Sequence, residues 1–424
     1  MTKTWAGRRL RSRWTWAGLF ALALSASQLW AWYHFRAGRA ALADDRPDAA
    51  RYHLQQCRRT WPWADRADVR LLSSRAAWQA GDLATGMSEL RGARRAAGGT
   101  TPEMAVEWAL LQAADGNVAG VAEYLQQLAD SDPALQRTVW EALAEGYLAV
   151  YRANDAYTVA LQWTSRFPDD PRALELRGRA AIQGRGRGLT LGADDLREVL
   201  ARDPTRTKAR TTLSITLLEL GRFDEAIAEL DRLVRDRPDE PDHRVRLARC
   251  LKMTNRPERA VELLDAVLEA NPDHGLALRT RGQFALSDLQ LPEATAWLRR
   301  AAEAMPNDYQ THYLYYQALQ QAGQSAAATE QLQRAEAVKQ QSMQLADLRT
   351  RRLAERPLDP TLSTEMGSLL LKTGNTVQGL RWLEVALSLD PGFRPAHEAL
   401  AVHYEKAGDR GQAEYHRRLA SATR

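Results

Sequence analysis

Several residue types are scarce in this 424-residue chain, and each scarcity excludes a class of protein. Only 2 cysteines occur, Cys57 and Cys250, so a scaffold built on disulfides is excluded. The 26 glycines and 17 prolines are ordinary numbers, which excludes collagen-like and wholly disordered chains. Of the 58 basic residues only 6 are lysines. Arginine therefore stands wherever this chain tolerates a cation.

An excess of positive charge is also missing from most of the chain. The formal net charge is +5, but residues 1–13 alone hold five cations and no acid. The rest of the chain is therefore neutral overall. Without a sustained basic face, nucleic-acid binding ranks last among the functions considered.

A long uncharged run follows the basic tail. Residues 14–35 contain no Asp, Glu, Lys or Arg, and as a helix they would be about 33 Å long, enough for a hydrocarbon core of about 30 Å. Aromatic residues lie at both ends, Trp14 and Trp16 before and Trp30 and Trp32 after. The run predicts a single transmembrane helix with the N-terminus in the cytoplasm and the rest of the chain outside, in the periplasm.

Two alternatives for this run remain open. A charged start, an apolar stretch and small residues also fit a cleaved signal peptide, with Ser25-Ala26-Ser27 as a tolerable cleavage site. A buried helix of a soluble protein is the other alternative. The uncharged run continues past the cleavage site, and its distal aromatic residues are typical of an interface anchor. These two features favour an uncleaved anchor.

The body of the chain repeats itself every 34 residues. Three kinds of position keep this step: a proline, a leucine and an alanine. The positions are Pro204, Pro238, Pro272 and Pro306; Leu230, Leu264, Leu298 and Leu332; and Ala226, Ala260, Ala294 and Ala328. A repeat of this length indicates stacked supersecondary units, because one unit cannot bury both of its faces.

Each unit is predicted to be a pair of amphipathic helices. Leucines at three-to-four-residue spacing mark the apolar side of each helix. Gly221 ends a first helix, since glycine adopts a left-handed backbone without steric cost. Pro238 ends a second helix, because its ring clashes with the preceding turn. The small Ala226 lets the two helix backbones approach closely.

The unit at residues 137–170 resembles the tetratricopeptide repeat (TPR) family most fully. It carries the residues Trp140, Leu143, Ala144, Tyr147, Ala156 and Pro168 at that family's spacing. The resemblance covers nearly the whole chain after the uncharged run. It implies an all-α, right-handed superhelical solenoid of about eleven helix-turn-helix units, preceded by one transmembrane helix.

These patterns divide the chain into six predicted segments. They are a basic cytoplasmic tail (1–13), a transmembrane helix (14–35), divergent TPR units (36–206), regular TPR units (207–342), an extra helix or spacer (343–359) and C-terminal TPR units (360–424). We expect the first repeat to continue from the transmembrane helix without a flexible linker.

Motifs for catalysis, cofactors or metals are not found. There is no Walker loop, no dinucleotide fingerprint, no His-Glu-x-x-His and no cysteine pair at metal spacing. The glycine- and arginine-rich stretch 184–188 is predicted to be a turn between helices and not a phosphate cradle. Cys57 and Cys250 are expected to be buried and separate. We therefore expect a protein that is not an enzyme and holds no cofactor.

The family resemblance implies peptide binding along the concave face that the first helix of each unit lines. Helical periodicity selects a stripe of candidate residues there, basic in the middle and aromatic-polar further on. The candidates are Arg172, Arg179, Lys208, Arg249, Lys252, Arg279, Tyr313 and Gln317. One hypothesis is that the basic part binds an acidic peptide or a C-terminal carboxylate. The alternative is that these arginines are ordinary solvated helix positions.

The sequence as a whole indicates a membrane-anchored scaffold that binds protein or peptide partners. The family resemblance suggests roles in envelope assembly, secretion or protein maturation, without choosing among them. A soluble exported adaptor remains the alternative if the uncharged run is cleaved. A non-catalytic, substrate-binding subunit of an enzyme complex is a third possibility.

Overall fold

The structure, a computed structural model, describes residues 5–60, 66–348, 352, 356 and 359–422, with side chains described between 22 and 421. The described residues form 22 α-helices and no strand, which confirms the predicted all-α class. The chain divides into two compact units, Met1–Ala142 and Leu143–Arg424, here unit 1 and unit 2. The predicted segment boundaries do not coincide with this division and stay predictions.

Unit 1 holds six helices and the beginning of a seventh. They are α1 (Trp5–Ala43), α2 (Pro47–Arg58), α3 (Ala67–Gln79), α4 (Leu83–Ala97), α5 (Pro102–Ala114), α6 (Ala122–Ser131) and α7 (Gln136–Ala149), of which α7 continues into unit 2. Consecutive helices pack against each other as pairs, α1 with α2 and α3 with α4.

Unit 2 continues the succession of helix pairs. Its helices are α8 (Ala153–Arg166), α9 (Pro171–Gly184), α10 (Gly188–Arg202), α11 (Thr207–Glu219), α12 (Phe223–Asp236), α13 (Pro241–Met253), α14 (Pro257–Ala270), α15 (Gly275–Ser287), α16 (Leu291–Ala304), α17 (Tyr309–Gln321), α18 (Ser325–Asp347), α19 (Pro360–Lys372), α20 (Thr376–Leu389), α21 (Arg394–Lys406) and α22 (Arg410–Ala422). Between α11 and α17 the first helices start every 34 residues, which is the step in the sequence.

Helix α1 runs without a break from the uncharged run into the first helix pair. The predicted helix at 14–35 and its direct continuation into the repeats are therefore confirmed as helix. Among the helices that the structure describes, none is both long enough and apolar enough to cross a membrane. The transmembrane role of residues 14–35 accordingly stays a prediction.

The repeated small and leucine positions form the core of unit 2. Ala226 and Leu230 on α12 are both fully buried, as are their equivalents Ala260 and Leu264 on α14. They belong to one apolar cluster that extends from α9 to α16. Because this cluster spans neighbouring pairs, each pair is stabilised by the next one along the array.

The turns between paired helices share one backbone conformation. Gly221 and Gly323 have φ values of 72° and 75° in the left-handed region that favours glycine. Asn255 and Leu289, which take the same place in the intervening pairs, have φ values of 58°. The equivalent turns hold glycine or asparagine, so Leu289 is the exception in the sequence. The structure shows that the chain keeps the turn despite a leucine there.

Two irregular segments were expected in the array. The stretch 184–188 is a turn between α9 and α10, as predicted, with Arg185 and Gly186 both at φ 61°. Of the 17 residues of the predicted extra helix at 343–359, eight lie outside the described residues. Its beginning belongs to α18, which at 23 residues is longer than the helices around it.

Candidate protein-binding face

The first helices of consecutive pairs in unit 2 share an exposed side. Helix α9 contacts α11, α13 contacts α15, and α15 contacts α17. We call the exposed side of α9, α11, α13, α15 and α17 the first-helix face. The ninth residue of each of these helices stands at an equivalent position, so these residues form a column: Arg179, Ile215, Arg249, Gln283 and Gln317.

Arg179 is bound to an internal carboxylate. Its guanidinium donates to both oxygens of Glu145, which lies one repeat upstream on α7, over 2.5 and 2.9 Å. Burial alone would raise the pKa of Glu145, but Arg179 and Lys208 outweigh it and hold that pKa below its usual value. Arg179 is thus neutralised within the array.

A second carboxylate belongs to the same charged group. Glu175 on α9 is buried and accepts a hydrogen bond from Arg206 at 2.9 Å. Burial raises the pKa of Glu175, and repulsion from Glu145 is a smaller effect in the same direction. Lys208 is exposed, and its ammonium group has no hydrogen bond with a described residue but acts on both carboxylates through its charge. Asp203, which pairs with Arg206, is the third acid, so three acids balance three cations in this part of the face.

Two further candidate cations reach acids in the following pair. Lys252 on α13 lies 2.7 Å from both oxygens of Asp288, and its ammonium group stands over the ring of Phe284. Arg279 on α15 donates to Asp308 at 2.7 Å. Asp308 also caps α17, where its carboxylate accepts from the backbone N–H of Thr311. Both cations therefore link neighbouring pairs.

Arg172 lies at the start of α9 and contacts residues close to it in the sequence. Its guanidinium pairs with Asp170, the residue that caps this helix, at 3.1 Å. The same guanidinium lies over the ring of Trp163, 5.3 Å from the ring centre. Arg172 is largely buried by these contacts, and it stabilises the helix start.

Arg249 differs from the other candidate arginines. It is exposed on α13 and makes no hydrogen bond or ion pair with any residue that the structure describes. Partial desolvation lowers its pKa, and the neighbouring cations Arg279 and Arg246 lower it further. At the equivalent position one pair upstream stands Ile215, where an acid would be needed to neutralise it. Arg249 is thus an unpaired cation beside two other arginines, Arg279 and Arg246, that each pair with an acid of this chain.

The aromatic-polar end of the face lies on α17. Tyr313 is 37% exposed. Its ring stacks on Tyr309 at 5.7 Å between centres and contacts Tyr316 at 5.9 Å. Gln317, one turn further on, is half-buried. The three tyrosines form a short ladder of rings, of which the sequence stripe identified only the middle member.

The structure therefore brings some sequence candidates together and separates others. Arg179 and Lys208 share one ion cluster, and Arg249 and Arg279 are electrostatic neighbours. Arg172 serves a helix start. The acids that neutralise Lys252 and Arg279 were missed. Their signal was present in the sequence, because Asp288 follows Lys252 by 36 residues and Asp308 follows Arg279 by 29, close to one repeat.

Metal-ligating clusters and thiols are the reactive groups that bear on chemistry in this chain. Within the described residues, no group of three or more His, Cys, Asp or Glu side chains is placed to hold a metal ion. Cys57 and Cys250 are both buried and free, as expected. Burial raises the pKa of each thiol to about 11, so both are protonated at neutral pH.

Stacked helix pairs with a shared core and an exposed first-helix side define a helical repeat protein. The sequence profile of the tetratricopeptide repeat family matches residues 193–244 and 235–282. Together with the 34-residue step of the helix pairs, this match identifies tetratricopeptide repeats in residues 193–282.

Solved structures resemble this chain at low sequence identity. No curated protein matches. A human IFIT1 dimer with m7Gppp-AAAA is 16% identical over 83% of this chain and 68% of its own, with a TM-score of 0.33. A tetratricopeptide repeat protein from Parabacteroides merdae is 19% identical over 60% and 98%, with a TM-score of 0.38. PilF of Pseudomonas aeruginosa is 17% identical over 53% and 90%, with a TM-score of 0.29.

Proposed function

We propose that this protein is a non-enzymatic scaffold that binds segments of partner proteins on the first-helix face of unit 2. The observation that carries the proposal is the contrast between the two sides of the first helices. Their inner sides form a continuous apolar core, whereas their outer sides present Arg249, Gln283 and Tyr313 to solvent. Exposed polar and aromatic side chains on a rigid frame suit recognition of a partner.

A site-specific crosslinking experiment tests this proposal. A photo-crosslinking residue at Gln283 or Gln317 is expected to capture one defined partner in native cells. The matched control is the same residue at Glu303, which is exposed on the second helix α16. Equal capture from Glu303, or no capture from either first-helix position, would contradict the proposal.

We further propose that residues 14–35 attach the array to the inner membrane and place it in the periplasm, with a role in envelope assembly, secretion or protein maturation. The uncharged run and the basic tail support this orientation. Exposed apolar side chains in the middle of α1 support it too, since Leu22 and Leu29 are each 68% exposed and Tyr33 is 60% exposed. Such residues lose unfavourable contact with water when they meet lipid.

Fractionation and N-terminal sequencing test the attachment. The protein is expected to stay with membranes during alkaline carbonate extraction and to keep its basic tail. A mature N-terminus near Gln28 would instead identify a soluble exported adaptor. Stoichiometric co-purification with an enzyme would favour the third possibility, a substrate-binding subunit.

A further inference from the structure

The cations of the first-helix face fall into two groups that the sequence alone does not separate. Arg179, Lys252 and Arg279 are each paired with a carboxylate of this chain. Arg249 has no such partner among the described residues, and it lies beside Arg279 and Arg246. An incoming carboxylate would therefore be attracted to Arg249, whereas at Arg179 it would have to displace Glu145.

The comparison of Arg179 with Arg249 is a matched one. Both are the ninth residue of a first helix, and both point to the same face. Arg179 receives Glu145 from the pair upstream, and Arg249 finds Ile215 at that place. The planar fork of arginine binds a carboxylate through two parallel hydrogen bonds, which is how Arg179 already holds Glu145. Arg249 offers the same geometry to a carboxylate from outside.

A second contact point lies two pairs further along. First helices in contact are separated by about 10 Å, so α13 and α17 are about 20 Å apart. The exposed ring of Tyr313 stands there, held by its stack on Tyr309 and its tilted contact with Tyr316. An extended peptide advances about 3.4 Å per residue, so about six residues bridge the two points. Between them, Gln283 offers an exposed amide for the backbone of such a peptide.

We propose that the face from α13 to α17 binds an extended segment of a partner protein that carries a carboxylate for Arg249 and, about six residues away, a ring side chain for Tyr313. This inference rests on the proposed function, because it specifies the ligand of the same face. It commits to an acidic segment, since Arg249 carries an unpaired positive charge, whereas Lys252 and Arg279 on the same part of the face are already paired with acids.

Defined peptides test the specificity. The probes are labelled 14-residue peptides of Ser and Ala that hold one Glu pair and one Phe, separated by two to ten residues. Binding to the full chain is measured by fluorescence anisotropy. The tightest binding is expected at a separation of about six residues. Replacing the Glu pair by Gln should weaken it about tenfold or more, and added salt should weaken it further.

Variants assign the contacts. Arg249→Gln is expected to weaken binding of the best peptide about tenfold or more, and Tyr313→Ala about threefold or more. The matched control is Arg299→Gln, which removes the same charge from an exposed site on the second helix α16 and should leave binding unchanged. Circular dichroism of each variant checks that the helices persist.

Several outcomes would overturn the inference. They are an unchanged affinity in Arg249→Gln, equal binding of the Glu and Gln peptides, no optimum in the spacing, or no binding of any peptide. Self-association of the full chain that Arg249→Gln abolishes would also overturn it, by making a second copy the occupant. If these tests fail while crosslinks from Gln283 still capture a partner, the proposed function stands and only this ligand is wrong.

Discussion

The Nδ1 atoms of His397 and His416 lie 3.0 Å apart and join the two helices of the last pair, α21 and α22. The Nε2 atom of His397 is 3.0 Å from the carbonyl oxygen of Pro391, which can only accept a hydrogen bond. In the neutral ring Nε2 therefore carries the proton, and Nδ1 of His397 accepts from Nδ1–H of His416. A proton on both Nδ1 atoms would place two N–H donors against each other and would break this hydrogen bond.

We predict that the last helix pair loses stability in mild acid. Burial and then the neighbouring His397 lower the pKa of His416, while the uncharged rings of Tyr404 and Tyr415 cover it. Because the pKa of His416 is lower in the folded state, the folded state resists protonation of this ring. The contribution of His416 to stability is therefore fully present above the unfolded pKa of about 6.5 and falls as the pH drops through that value. Urea unfolding at pH 7 and pH 5 measures the loss.

The control for this prediction is His416→Gln. Elsewhere in the array, His312 makes the equivalent contact with Gln331 at 2.8 Å, and its Nε2 likewise meets the carbonyl of Pro306. An amide can donate or accept, so it accommodates either protonation state of the histidine. The variant should lose less stability than the wild type between the two pH values. An identical loss would refute the role of the histidine pair.

A second prediction concerns the ion pair of Glu145 and Arg179. A double-mutant cycle with Glu145→Gln and Arg179→Gln should give a coupling free energy of about 1–2 kcal/mol, because the pair is bidentate but only partly buried. The exposed pair of Arg299 and Glu303 on α16 is the comparison and should give a coupling near zero. Equal couplings in urea denaturation would show that the bidentate geometry adds no stability.

Leu289→Gly is predicted to stabilise unit 2 by about 0.5–1 kcal/mol. Leu289 has a φ of 58°, which costs energy for a residue with a Cβ atom, and its side chain is 74% exposed, so little burial is lost. Asn255→Gly changes the equivalent turn and should give a smaller gain, since asparagine tolerates this conformation. A fall in the urea midpoint of Leu289→Gly would contradict the explanation.

The fourth prediction concerns the two thiols. Without reductant, the denatured chain should titrate two free thiols, and the folded chain should react much more slowly with a maleimide. Burial and a pKa of about 11 keep Cys57 and Cys250 protonated and out of reach of the reagent. A zero thiol count after denaturation would demonstrate a disulfide.

Much of the fold follows from local sequence patterns. The 34-residue step, the buried Ala226 and Leu230 positions and the turn at Gly221 were all predictable, because each depends on neighbours within one repeat. The turn at Leu289 was not predictable from propensity. There the packing of α15 against α16 fixes the backbone and overrides the preference of the residue.

The sequence predicted which residues lie on the candidate face, but it did not predict which of their charges are paired. Helical periodicity placed Arg179 and Arg249 on the same side of their helices, and it treated them alike. Whether either cation is free depends on the residue at the equivalent position of the pair upstream, which is Glu145 in one case and Ile215 in the other. That dependence crosses a repeat boundary, since the paired side chains lie 29 to 36 residues apart in the sequence.

The sequence by itself determined the helix pairs, their repeat length and the scarcity of reactive groups, because these depend on local conformation and composition. Only the tertiary structure decided which charges remain on the surface. A formal +5 that belongs to the first 13 residues leaves a body that is neutral overall, and contacts between repeats decide which of its charges are paired. Arg249 is exposed as an unpaired charge because stacking places none of the described acids beside it.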